Sequence, residues 1–220
     1  MLRRINQLHG FGVRSLNTDV GKLVRFHFDD MSWRLESFDL LPPSSAPSSQ
    51  IERVPIESIV GIDLEDRILT LNRRPYKLSE PQLHQCATTS VEGYEIHAID
   101  ATFGHVEDFF VDEDGWKIRY LIIDTRNWWP GRAVLISPGW ISKVDEASEE
   151  VHVALSREQI QTAPAYDHLR ELTRDDEELL HRHYDRPSYW SEHEVHVIQE
   201  GVKVPWRESI GNLSRRKSFK

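Results

Sequence analysis

Histidine is the residue type best supplied for chemistry in this 220-residue chain, with 11 copies against a single cysteine. His181 and His183 stand two apart, which on a helix turns them to different faces. His193 and His196 would share a helical face, but Val195 and Val197 alternate beside them as in a strand, and spacing alone does not supply zinc geometry. Cys86 has no partner for an intramolecular disulfide and no Cys cluster for zinc, so it reads as a small, partly buried residue near a helix end. Nucleophile motifs of the G-x-S-x-G type are absent. Gly10-Phe11-Gly12-Val13-Arg14-Ser15 begins like a dinucleotide loop but lacks the last glycine and the βαβ unit that would use it, and no phosphate-binding lysine loop occurs. The acidic run Asp112-Glu113-Asp114-Gly115 invites a calcium reading. Setting Asp112 and Asp114 at the third and fifth loop positions puts Phe110 at the first and Leu121 at the twelfth, where neither can ligate. A solvated turn remains, with aspartates capping it and Gly115 expected to take a positive φ. No metal or cofactor is expected, and the protein is not expected to be an enzyme.

Trp128-Trp129-Pro130-Gly131-Arg132 offers binding rather than catalysis. Two adjacent tryptophans cannot both enter one strand face. Either one is core and the other lies against a neighbouring element, or one is an exposed anchor beside Arg132, in keeping with the enrichment of Trp and Arg at interface hot spots. Trp128, Trp129 and Arg132, with Trp190 further on, form the candidate interaction surface. The expected partner is a protein of unknown identity, and self-association is left open.

The elements that must position these residues are short strands. With 27 Lys+Arg against 36 Asp+Glu the net charge is −9, which disfavours nucleic acid as a partner. Hydrophobic residues make up 39%, enough for a packed core. The longest apolar runs, Tyr120 to Ile123 and Ala133 to Ile136, are far below the roughly 20 residues of a membrane span, and Met1-Leu2-Arg3-Arg4 is not followed by the apolar stretch of a signal peptide. A cytoplasmic protein is the expectation.

A repeat organises the chain. Gly21, Phe26, Asp29 and Trp33 are matched by Gly104, Phe109, Asp112 and Trp116 at a constant separation of 83 positions, with Leu23/Val106 and Leu35/Ile118 alongside. Val54-Pro55-Ile56-Glu57-Ser58-Ile59 answers Ile136-Ser137-Pro138-Gly139-Trp140-Ile141, and Arg67-Ile68-Leu69-Thr70-Leu71 answers the stretch from Glu150 to Leu155. Alternation in these segments predicts half-buried strands, and Phe38/Leu121 with Leu40/Ile123 make neighbouring strands apolar on both faces. Ser156-Arg157-Glu158-Gln159 is a capping box, Ser79-Glu80-Pro81-Gln82 its counterpart, and Thr173 caps a helix toward Tyr184 with acids first and bases last. Pro and Ser between Leu41 and Ser49 predict a loop. The expected fold is mainly β: two tandem small barrels, residues 1–90 and 91–167, with short capping helices, then a helical and irregular tail over 168–220.

The second copy resembles the PRC-barrel family, the small β-barrel of the photosynthetic reaction-centre H subunit and of the ribosome-maturation factor RimM. The resemblance is carried by Gly104, Asp112, Gly115 and Trp116 within the stretch from Gly104 to Thr125, and by Val134 to Pro138 and Val151 to Ile160. The tail around His181-Arg182-His183-Tyr184 is similar to that of soluble tandem members. The resemblance implies an adaptor or assembly role. Its alternative implication is a peripheral component of a membrane electron-transfer complex, in which His105, Glu107, Asp108, Asp112, Glu113 and Asp114 would pass protons.

Overall fold

A computed structural model describes residues 1–46, 50–72, 85–125, 133–168 and 170–190. The chain is mainly β. In chain order its strands are β1 (Leu2–Arg4), β2 (Gly12–Ser15), β3 (Thr18–Asp29), β4 (Leu35–Leu41), β5 (Glu52–Pro55), β6 (Ile59–Asp63), β7 (Ile68–Leu71), β8 (Gln85–Ala87), β9 (Glu95–His97), β10 (Thr102–Asp112), β11 (Lys117–Asp124), β12 (Ala133–Ile136), β13 (Ile141–Asp145) and β14 (Glu150–Val153). The helices are α1 (Thr88–Val91), α2 (Arg157–Gln161) and α3 (Arg174–His183).

The repeat is seen as topology. One sheet has the order β5-β4-β3-β2-β7-β6 and the other β12-β11-β10-β9-β14-β13, with one further strand on each. Register agrees residue for residue: Gly12 faces Lys22 and Arg14 faces Asp19 in the first copy, as Glu95 faces His105 and His97 faces Thr102 in the second. The parallel seams agree too, with Arg14 beside Thr70 and His97 beside His152. Among the described residues neither path closes by a hydrogen-bonded ladder. Its two end strands are instead joined by a single 3-10 turn, Ile56–Ser58 or Pro138–Trp140, which turns a corner rather than folding back as a hairpin. The described residues therefore form two seven-stranded sheets.

Each copy's first strand pairs outside its own sheet. β1 adds to β10 through Arg4–Phe110, and β8 adds to β3 through Ala87–His27. These are equivalent positions, so the two copies exchange a strand reciprocally. A second pair of bonds repeats the symmetry: the Leu35 amide donates to the Trp116 carbonyl at 2.7 Å, and the Ile118 amide to the Trp33 carbonyl at 2.7 Å. The exchange lies wholly within one of the two compact units, which comprises Met1–Gly93 and Glu107–Leu121; the other comprises Tyr94–Val106 and the chain from Ile122 onward. The first unit buries Ile5, Phe11, Phe26, Phe38 and Phe109, and the second Ile96, Ile122, Ile136, Val151 and Leu155, all at 2% exposure or less. Each such side chain contributes about 1.5–3 kcal/mol by leaving water.

Local geometry follows from particular residues. Gly21 (φ 147°) and Gly104 (φ 60°) sit where the register of β2–β3 and β9–β10 slips, and a Cβ there would come within 2.2 Å of the Leu41 carbonyl oxygen and 2.4 Å of the Asp124 carbonyl oxygen. Only glycine tolerates that approach. The acidic turn differs from expectation: Gly115 does not take a positive φ, and Trp116 does (φ 49°), as does its counterpart Trp33 (φ 57°). The Asp114 amide donates to Asp112 Oδ1 and the Ser32 amide to Asp29 Oδ1 within the two turns, and the inter-copy hydrogen bonds accepted by the tryptophan carbonyls hold the strained residues. The capping box at Ser156 forms and Thr173 caps α3, both as the sequence indicates; the structure adds that Asp176 closes a capping box at Thr173 as well. The counterpart at Ser79–Gln82 lies outside the described residues.

α3 packs within the second unit. Its Tyr184 end meets Trp140 in a tilted contact at 4.6 Å between ring centres, and His181 meets the same indole edge-on at 5.3 Å. His183 Nε2 lies 2.7 Å from the Gln159 carbonyl oxygen, which ties α3 to the end of α2. The first copy has Ser58 in the place of Trp140, so the platform under α3 is peculiar to the second.

Candidate functional site

The seam between the parallel strands is the region where the two copies diverge most in chemistry. In the first unit β2 and β7 border an open cavity of about 660 Å³ whose lining includes Gly10, Gly12, Arg14, Lys22, Pro42 and Arg67. Glycines leave backbone bare there, and the cations are partly committed: Arg14 Nε is 3.1 Å from Asp19 Oδ1, while the Arg67 guanidinium lies over Phe11 and donates to the His9 carbonyl oxygen at 3.1 Å. Leu41 adds an exposed apolar wall.

At the matching seam of the second unit the side chains are histidine and glutamate. Parallel pairing puts His97 beside His152 and Glu95 beside Glu150, and the period of two places all four on one face. His97 Nε2 is 3.3 Å from Glu150 Oε1, His152 Nε2 is 3.0 Å from Glu150 Oε2, and the two rings stand 5.1 Å apart. His97, Glu150 and His152 each bring one ligand atom to within 4.8 Å of the others. Glu95 lies 3.8 Å from His97 on the solvent side. The flanking strands contribute Thr102 and His105 from β10, and Lys143 and Asp145, paired with each other, from β13.

Two buried charge clusters lie in the first unit. Asp39 is reached by Arg25 at 2.7 Å, His27 at 3.0 Å and Arg53 at 3.3 Å. Burial works to raise its carboxyl, but the hydrogen bonds from His27 and Arg25 and the nearby charges outweigh it and hold it at about 2. Asp108 is fully buried, with Arg4 Nε 2.8 Å from Oδ2 and the amides of Asn6 and Phe109 on Oδ1. Burial dominates there and pushes the carboxyl up. The Asp108 charge is felt by Glu92, itself raised to about 7 chiefly by burial, and by His9, which burial lowers.

Of the residues singled out from sequence, Trp128, Trp129 and Arg132 lie outside the described residues, as do His193 and His196. Trp190 is half-buried, with the Arg174 guanidinium over its ring at 4.0 Å and His181 edge-on at 5.4 Å, so it braces α3. His181 and His183 turn to different environments. Gly104 and Trp116 hold strained backbone, and Asp112 binds Arg119 at 2.9 Å. Sequence reasoning missed the His97–Glu150–His152 group. The two histidines are far apart in the chain, and only the parallel pairing of β9 with β14 brings them together; the signal available was the alternation Glu95-x-His97 and Glu150-x-His152.

Comparison with known proteins finds no protein family that matches this chain. No curated protein matches it either. Among the described residues no helix is long and apolar enough to cross a membrane.

Proposed function

We propose that the chain is a non-catalytic binding and assembly module built on two tandem barrels of the PRC type. The observation that carries the reading is the open, glycine-floored cavity at the β2–β7 seam, which offers bare backbone, the Lys22 cation beside the Arg14–Asp19 pair and the apolar Leu41 and Pro42 to an extended, carboxylate-bearing segment of a partner protein. The corner joining the first and last strand of each sheet supports the barrel description, and the duplicated topology supports a rigid frame with differentiated faces. The resemblance to PRC barrels that dock on larger assemblies points the same way.

The test is affinity capture from native lysate, soluble and membrane fractions kept apart, with the full chain and its Arg14→Glu/Lys22→Glu variant as paired baits. Both residues are on the surface, so the variant should fold. A defined protein held by the wild type and lost by the variant is the expected result. Identical captures by both baits would remove the cavity from the argument, and a complex released from membranes by salt would favour the peripheral electron-transfer alternative.

A further inference from the structure

We propose that the β9–β14 face of the second unit binds a divalent transition metal of the zinc class through His97, His152 and Glu150. Two imidazoles and a carboxylate are a donor set suited to Zn²⁺, which takes nitrogen at about 2.0–2.1 Å and carboxylate oxygen at about 2.0–2.2 Å. Ligand atoms on a tetrahedron of that size stand roughly 3.3 Å apart. His97 Nε2 is 3.3 Å from Glu150 Oε1 and His152 Nε2 is 3.0 Å from Glu150 Oε2, and one ligand atom from each of the three residues lies within 4.8 Å of the others, so the group has to draw in only modestly around an ion.

Three further observations point to the ion. His97 Nε2 is buried and makes no hydrogen bond, because its approach to Glu150 has the distance but not the angle, and a metal would satisfy that lone pair. The donors stand on adjacent inner strands, with β10 and β13 outside them, so the site is held by sheet registry rather than by a loop. The site also belongs to one copy only: the first copy carries Arg14 and Thr70 where the second has His97 and His152, and Ile68 where it has Glu150. Identical backbone frames thus differ in the donors they present. His97, Glu150 and His152 supply three ligands, and the fourth position faces Glu95 and solvent, open to water, to the Glu95 carboxylate or to a donor from another molecule.

The competing state is a metal-free one in which Glu150 stands between the two imidazoles with no ion. The two are separated by titrating the full chain with Zn²⁺ against a chromophoric chelator at pH 7, and with Co²⁺ for the visible band of a tetrahedral nitrogen–oxygen site. The decisive variant is His97→Arg/His152→Thr, which installs the residues the same strand pair carries in the first copy and so preserves the fold; circular dichroism checks this. His193→Ala/His196→Ala controls for adventitious tail histidines. The expected result is one equivalent of metal in the wild type and the control, weakened about a hundred-fold or more in the decisive variant along with loss of the Co²⁺ band. The proposal is overturned if the wild type takes up no ion, if the decisive variant keeps the equivalent, or if the control loses it.

Discussion

Glu92 and His9 occupy the same position in the two copies, and each has a side-chain atom, Oε1 and Nε2, buried without a hydrogen bond. Asp108 sits near both. For Glu92 the consequence has a definite sign. Burial and then the Asp108 charge put its folded carboxyl at about 7, above the ordinary 4.5, so between those values the folded state binds more protons than the unfolded one. Stability therefore falls as pH rises through this window and stays reduced above it. Glu92→Gln keeps the shape and removes the titration. Urea denaturation should find the variant more stable than wild type by about 1–3 kcal/mol at pH 8 and equal to it at pH 4. A difference that does not change with pH would show that the carboxyl is solvated after all. Neither the burial of Glu92 and His9 near Asp108 nor the His97–His152 pair was legible in the sequence: the first depends on turns brought close to Asp108 of β10, the second on the parallel pairing of β9 with β14. The glycines were legible, because a residue pressed against a carbonyl oxygen can only be glycine and so stands out in both copies.

At the scale of elements, most strands, the Ser156 capping box and the Thr173 N-cap were readable. Alternation marks half-buried strands, and Ser-x-x-Gln, or a Thr followed by acids, marks a helix start. The acidic turn was readable as a turn but not in its conformation. Its left-handed residue is Trp116, one position beyond the glycine, held there by a hydrogen bond from the other copy that no local rule anticipates. The docking of α3 was half-legible: its thin apolar stripe called for a support, and the support is Trp140. Trp140→Ser gives the second copy the residue of the first. It should free α3 while leaving the sheet intact, since Ser58 occupies the same corner in the first sheet. Hydrogen exchange should show protection lost from Arg174 to Tyr184 and retained in β9 to β14, with a cost of about 3–5 kcal/mol to α3 docking from the vacated indole. Unchanged exchange in α3 would mean that Arg174, Trp190 and His183 hold it without the platform.

For the whole molecule, duplication could be read directly, whereas the exchange of first strands could not, because a repeat in sequence is silent on which copy a strand joins. What the exchange entails is a matter of time during synthesis. Arg4 leaves the ribosome early, but the residue it pairs with is Phe110. At about 5–20 residues per second the wait is on the order of ten seconds. Throughout it β1 is a loose edge, and the copy it was made with cannot use it. Nascent chains arrested before β10 emerges should leave Leu2–Arg4 open to protease, and chains arrested after β11 should protect it. Each repeat is completed by a strand of the other, so a chain cut before Gln85 holds a first sheet still lacking β8 and an N-terminal strand with nothing to join.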